Sequence, residues 1–142
     1  KLKVVSENGQ RIVVIIQQKK VDKLFLYKSA LFWGGDIGDP PESIIADLNV
    51  SRGDKPIVVP MTAYVDLGDV HSAFIATSKL GFSLHIMGGN TAGSYTAILY
   101  FHHECIAKRV VRSSEFPTQV WEFEHYSQIS QTSSRLSCGY GR

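Results

Sequence analysis

The densest run of chemically capable side chains is His102-His103-Glu104-Cys105. Imidazole, carboxylate and thiolate all bind zinc. On a strand, neighbours point to opposite faces, so only His102 with Glu104, or His103 with Cys105, can share an ion. Zinc takes three or four ligands, and nothing nearby supplies the rest at finger-like spacing. The run therefore reads as a solvated hairpin tip. Cys105 beside His103 also has the makings of a thiolate–imidazole pair, but no Asn or Asp is placed to orient the base and no family signature surrounds it. No Gly-x-Ser-x-Gly elbow is present. These readings point to a protein that is not an enzyme and that carries no cofactor or metal.

Other motifs carry weaker chemistry. Gly88-Gly89-Asn90-Thr91-Ala92-Gly93 has the glycine content of a phosphate loop. No Lys-Ser/Thr pair follows it, and a strand pattern replaces the helix that would hold phosphate at its N-terminus. It reads as a long hairpin loop. Arg52-Gly53-Asp54 matches a cell-adhesion tripeptide, though all three are common turn residues. Lys108, Arg109 and Arg112 form a basic patch near Tyr95, Tyr100 and Phe101. Aromatics on a basic sheet stack single-stranded nucleic acid, but on a strand Tyr95 and Phe101 face one way and Tyr100 the other. Asp36, Asp39, Glu42 and Asp47 make an acidic segment that either caps a helix or attracts a basic partner.

These residues need a scaffold, and composition bounds it. The 142 residues are one domain's worth, with 44% hydrophobic and 20% charged side chains. A net charge of +2 is too mild to predict a nucleic-acid binder. No apolar run approaches the ~20 residues of a membrane span. Two cysteines, Cys105 and Cys138, make no disulfide framework, which suggests reduced thiols in the cytoplasm. A single Cys105–Cys138 bridge in a secreted protein is the other reading.

Strand patterns dominate. Lys3–Val5 and Arg11–Ile16 flank Asn8-Gly9, a hairpin signal. Leu24–Tyr27, Ile57–Val59, Thr62–Val65 and Ala73–Thr77 read as further strands, with Pro60 interrupting. Phe82–Ile86, Tyr95–Phe101, Ile106–Arg112 and Val120–Tyr126 complete the set. One helix is expected over about residues 40–48, with Asp39 capping, Pro40 at its first position and Ile44, Ile45 and Leu48 as its apolar face. The fold class is α+β, mainly antiparallel β: a bent sheet or partly closed β-barrel with that one short helix. Residues 1–126 form a single globular domain and 127–142 a polar, partly flexible C-terminal tail.

Residues 93–126 carry a resemblance. Gly93–Phe101 runs into a hairpin, then come Val110-Val111-Arg112-Ser113-Ser114-Glu115-Phe116-Pro117 and Val120-Trp121-Glu122. This resembles the C-terminal part of bacterial immunity proteins encoded beside polymorphic and contact-dependent growth inhibition toxins. The resemblance implies a cytoplasmic inhibitor that binds a cognate toxin domain and covers its active site or substrate surface. No site residue carries over from it. The exposed loops are the expected contacts: Asp36, Asp39, Asp66, Asp69, His71, Asn90, His102, His103 and Glu104. The alternative is a small β-barrel module binding nucleic acid or another ligand.

Overall fold

The run Gly81–Gly88 alternates half-exposed and buried positions along its whole length. Such a period of two fits a strand with one face on a core and one face outward. The computed structural model describes residues 1–7, 9–22, 40–90 and 93–126. Nine strands lie among them: β1 (Leu2–Ser6), β2 (Ile12–Lys20), β3 (Ser43–Arg52), β4 (Lys55–Ile57), β5 (Val70–Ser78), β6 (Gly81–Gly88), β7 (Tyr95–His102), β8 (Cys105–Ser113) and β9 (Val120–His125). They form two antiparallel meanders, β1-β2-β3-β4 and β5-β6-β7-β8-β9. Both sheets supply one core: Val14, Ile16, Ile45 and Val50 from the first, and Leu84, Ile86, Leu99 and Phe101 from the second. The mainly antiparallel expectation holds, as two sheets and not a closed barrel.

The expected helix over 40–48 is β3 instead. Gln17 pairs with Asp47 and Gln18 with Ile45, so Ala46 is an extra residue in the β3 ladder. That bulge puts Ile45 and Leu48 on one face although they are three apart. A spacing of three is also the mark of a helical face, which is why the sequence misleads here. Thr62–Val65 is likewise not a strand: Met61–Ala63 makes a single 3-10 turn, and Tyr64 and Val65 continue it through bonds to the Met61 carbonyl. β1 and β2 do pair as the expected hairpin, but Ser6 pairs with Ile12, so the connection is longer than a two-residue turn; Asn8 lies outside the described residues. Leu24–Tyr27, Asp36, Asp39 and the tail 127–142 lie outside the described residues.

Two polar devices join the sheets. The Gln18 amide donates to the Val70 carbonyl (2.9 Å) and accepts from the Val70 N–H (3.1 Å), copying one rung of a ladder between β2 and β5. The Asp69 carboxylate accepts from the Glu42 and Ser43 N–H groups at 3.0 and 2.9 Å, anchoring the start of β3.

Gly88 fixes how close β6 comes to its neighbours. A Cβ there would collide with the Tyr95 hydroxyl and come within 2.6 Å of the Gly68 carbonyl, the acceptor of the buried Tyr95 hydrogen bond. Gly88→Ala is expected to destabilise the fold by about 1–3 kcal/mol, the cost of overpacking a filled site. Urea titration should show a lower midpoint at unchanged slope; an unchanged midpoint would mean that the site relaxes freely.

Candidate functional site

Arg109 is the charged side chain at the centre of the molecule, 1% exposed. Its register opposite Leu99 turns it inward, whereas Lys108 and Arg112 turn outward. The guanidinium Nη1 donates to the Thr62 carbonyl (3.0 Å) and to Asp66 Oδ1 (2.7 Å). Nη2 donates to Asp66 Oδ2 (2.6 Å) and to Glu122 Oε2 (2.9 Å). The fork on Asp66 is bidentate, the geometry that planar guanidinium favours. Nearby, the Tyr126 hydroxyl donates to Glu124 at 2.9 Å.

The titrating groups of this cluster move in stated directions. Burial pulls Arg109 down, but the hydrogen bond and charge of Asp66, with Glu122 behind it, outweigh that and raise it. Glu122 is raised: burial is the largest cause, the Asp66 and Glu124 charges add to it, and Arg109 opposes it. Burial, then the bond to Glu124, raises the Tyr126 phenol. A guanidinium that stays charged and has both prongs occupied exchanges no proton, and this one ties the 3-10 turn and β9 to β8. Asp66, one of the expected contact residues, holds this tie and keeps 26% of its side chain exposed.

The remaining expected site residues separate to two ends of the second sheet. Asp69 holds β3, His71 is exposed with its Nδ1 3.1 Å from the Ser72 hydroxyl, and Asn90 is exposed beyond β6. At the other end, His103 and Glu104 form the β7–β8 turn, with His103 at φ 55. The two ends stand ~23 Å apart, seven residue steps along β7. The β3–β4 turn meets the His103 end. Arg52 donates to the His103 carbonyl at 3.3 Å, and Lys55 pairs with Glu104 at 3.3 Å. Arg52-Gly53-Asp54 does occupy a turn, but Arg52 is held against the neighbouring hairpin. Cys105 is disulfide-bonded. The other cysteine of the sequence, Cys138, lies outside the described residues.

The outward face of the five-stranded sheet brings together residues that sequence reasoning scattered or missed. One cross-strand row reads Phe74, His85, Ile98, Val110, Phe123, exposed at its two ends and fully buried at Ile98 in its middle. The row beside it reads Ala76, Ser83, Tyr100, Lys108, His125. Phe74 stacks on His85 with centroids 4.3 Å apart. The Lys108 ammonium sits 4.4 Å from the Tyr100 ring centre and 5.9 Å from that of Phe123. Burial, then the Arg112 charge, holds His85 below the usual histidine range. Phe74 and Phe123 were legible only as strand residues; their shared row depends on register across five strands.

No family model, curated protein or solved structure matches the chain.

The raised Glu122 makes a pH prediction. Above the ordinary glutamate value of 4.5, folded Glu122 still holds a proton that the unfolded chain has lost. The stability this brings is complete below that value and disappears as pH rises through the folded one. Glu122→Gln keeps an acceptor beside Arg109 and has no proton to lose. Wild type is therefore expected to lose stability relative to E122Q as pH rises from 4.5 toward neutrality, read from urea midpoints. A wild type that gains on E122Q over that range would mean that attraction to Arg109 outweighs burial.

Proposed function

We propose that this chain is a non-enzymatic binding module and that the outward face of its five-stranded sheet is the working surface. The carrying observation is that two large rings at the two ends of one cross-strand row stay in water, Phe74 at 46% and Phe123 at 53% exposure, while Ile98 midway between them is buried and the row holds no carboxylate. Nucleic acid suits this face better than a toxin domain, because Lys108 and Arg112 lie on it beside aromatic rings. The net charge of +2 averages over faces and hides that segregation. The toxin-neutralising reading rests on residues 93–126, where Tyr95, Phe101 and Arg109 are buried and so serve the scaffold.

Affinity capture with the tagged protein, from lysate and medium of its own producing cells, tests the reading. Nucleic acid that is released by ~0.5 M salt is expected, since screening at that strength removes surface attraction. A stoichiometric protein that survives the wash, and that kills cells lacking this chain, would replace this reading with the toxin inhibitor.

Among the described residues no helix is long and apolar enough to cross a membrane. We place the chain in an oxidising compartment, where the cysteine count alone suggested the cytoplasm, because persistent disulfides are rare in the cytosol and Cys105 is in one. Protein purified without reductant and then denatured is expected to show no reactive thiol. Reactive thiols in that assay would restore the cytoplasm.

A further inference from the structure

Resting on the placement of the chain in an oxidising compartment, we infer that Asn49 carries an N-linked oligosaccharide on the outward face of the four-stranded sheet. Asn49-Val50-Ser51 is the acceptor pattern Asn-x-Ser, with a residue other than proline in the middle. The other asparagines, Asn8 and Asn90, have Gln10 and Ala92 two places on and do not fit it. Asp47 extends the pattern to Asp-x-Asn-x-Ser, so it also meets the demand of bacterial transferases for an acidic residue two places earlier. A pattern this short is weak by itself, and the geometry adds three observations.

First, the face is open. One cross-strand row reads Lys3, Ile15, Asn49, and the next holds Val13 and Ser51. None of the described residues on this outward face is buried. Second, Asn49 is exposed, and Ser51 stands on its side of the strand because the two are two positions apart. Leu48 and Val50 take the inward side and are buried. Third, Asn49 Nδ2 donates one hydrogen to Asp47 Oδ2 at 2.6 Å. An amide nitrogen has two hydrogens, so attachment of a sugar at the other leaves this bond in place.

The transfer needs a co-reactant, a lipid diphosphate that bears the oligosaccharide. The bond from the sugar's C1 to the diphosphate oxygen breaks, and a bond from C1 to Asn49 Nδ2 forms. The displaced amide proton goes to the leaving diphosphate, and nothing is oxidised or reduced. Transfer precedes pairing of β3, since in the folded sheet the Asn49–Ser51 backbone lies between β2 and β4. Afterwards the sugar stands away from the sheet, as side chains on a strand do, and costs no ladder bond. It screens the half-exposed Val13 and Ile15, and it leaves Phe74 and Phe123 on the other sheet uncovered.

The test is tandem mass spectrometry of the protein purified without reductant from its own producing cells, with thiols assayed on the same sample. The peptide that holds Asn49 should be heavier than its sequence by the mass of a sugar chain, and fragmentation should place that mass on Asn49. Asn49→Gln and Ser51→Ala, made in the same cells, should both lose it completely, and Ser51→Thr should keep it. S51A leaves the amide untouched, so its loss separates enzymatic transfer from a chemical adduct. The wild-type peptide decides the matter even where a variant fails to accumulate. The inference falls if that peptide is unmodified in protein without reactive thiols, or if S51A keeps the added mass. An unmodified peptide together with reactive thiols removes the oxidising compartment, and the inference with it.

Discussion

A charge taken out of water must bring its counter-charges with it, and Arg109 sets that requirement for this fold. Its guanidinium is buried on β8, and its partners come from three places: the Thr62 carbonyl in the 3-10 turn, Asp66 just after it, and Glu122 on β9. Removing one partner of such a group leaves an uncompensated charge, which typically costs about 3–5 kcal/mol. The β4–β5 connection and β9 are thus bound to β8 by more than ladder bonds and apolar contact. Asp66 and Glu122 keep partial access to water, at 26% and 32% side-chain exposure, so their desolvation is incomplete. This limits what the cluster costs to assemble.

The same arrangement sorts charge between the two sides of the second sheet. Strand alternation puts residues i and i+2 on one side, so Arg109 and Val111 face inward while Lys108, Val110 and Arg112 face outward. Glu122 and Glu124 follow Arg109 inward because β9 pairs in register with β8. Had β9 slipped by one residue, both carboxylates would lie beside Lys108 and Arg112, and the outward face would be nearly neutral. The position of three inward charges therefore decides the electrostatic character of the opposite face. Trp121 occupies the bulge in β9, where the ladder passes from Val111–Glu122 to Arg112–Val120, and it packs against the core.

Much of this was legible in the sequence, for a physical reason. The segments β1, β2, β5, β6, β7, β8 and β9 each coincide with an expected strand, and β6 alternates half-exposed and buried positions along its whole length. The failures fall in β3 and at residues 62–65. In β3 the bulge at Ala46 imitates helical spacing, and only the ladder with β2 reveals it. Over Thr62–Val65 the β-branched and aromatic residues favour extended backbone, yet Ala63, Tyr64 and Leu67 are buried by a turn that also delivers Asp66 to Arg109. Tertiary demand outweighs local propensity there. Arg109 itself could not be separated from Lys108 and Arg112 by composition, since three basic residues within five positions look like one patch until register assigns them to sides.

The candidate surface was less legible than the fold because it is a property of pairing and not of any motif. The cluster His102-His103-Glu104 attracted notice by its residue types, yet Glu104 is paired with Lys55 and His103 contributes a carbonyl to Arg52. The exposed rings Phe74 and Phe123 are forty-nine positions apart and carry no signature. They share a row only because four antiparallel pairings keep register through bulges at His71, Ala107 and Trp121. Each bulge flips the side-chain parity of the residues beyond it. Without the one in β9, Val120 and Phe123 would stand on opposite faces, since they are an odd number of positions apart. The bulge restores them to the same side, and with it the apolar margin that borders Lys108 and Arg112. Recognition at such a face depends on ladder geometry first and on residue identity second, and a search for local motifs passes over it.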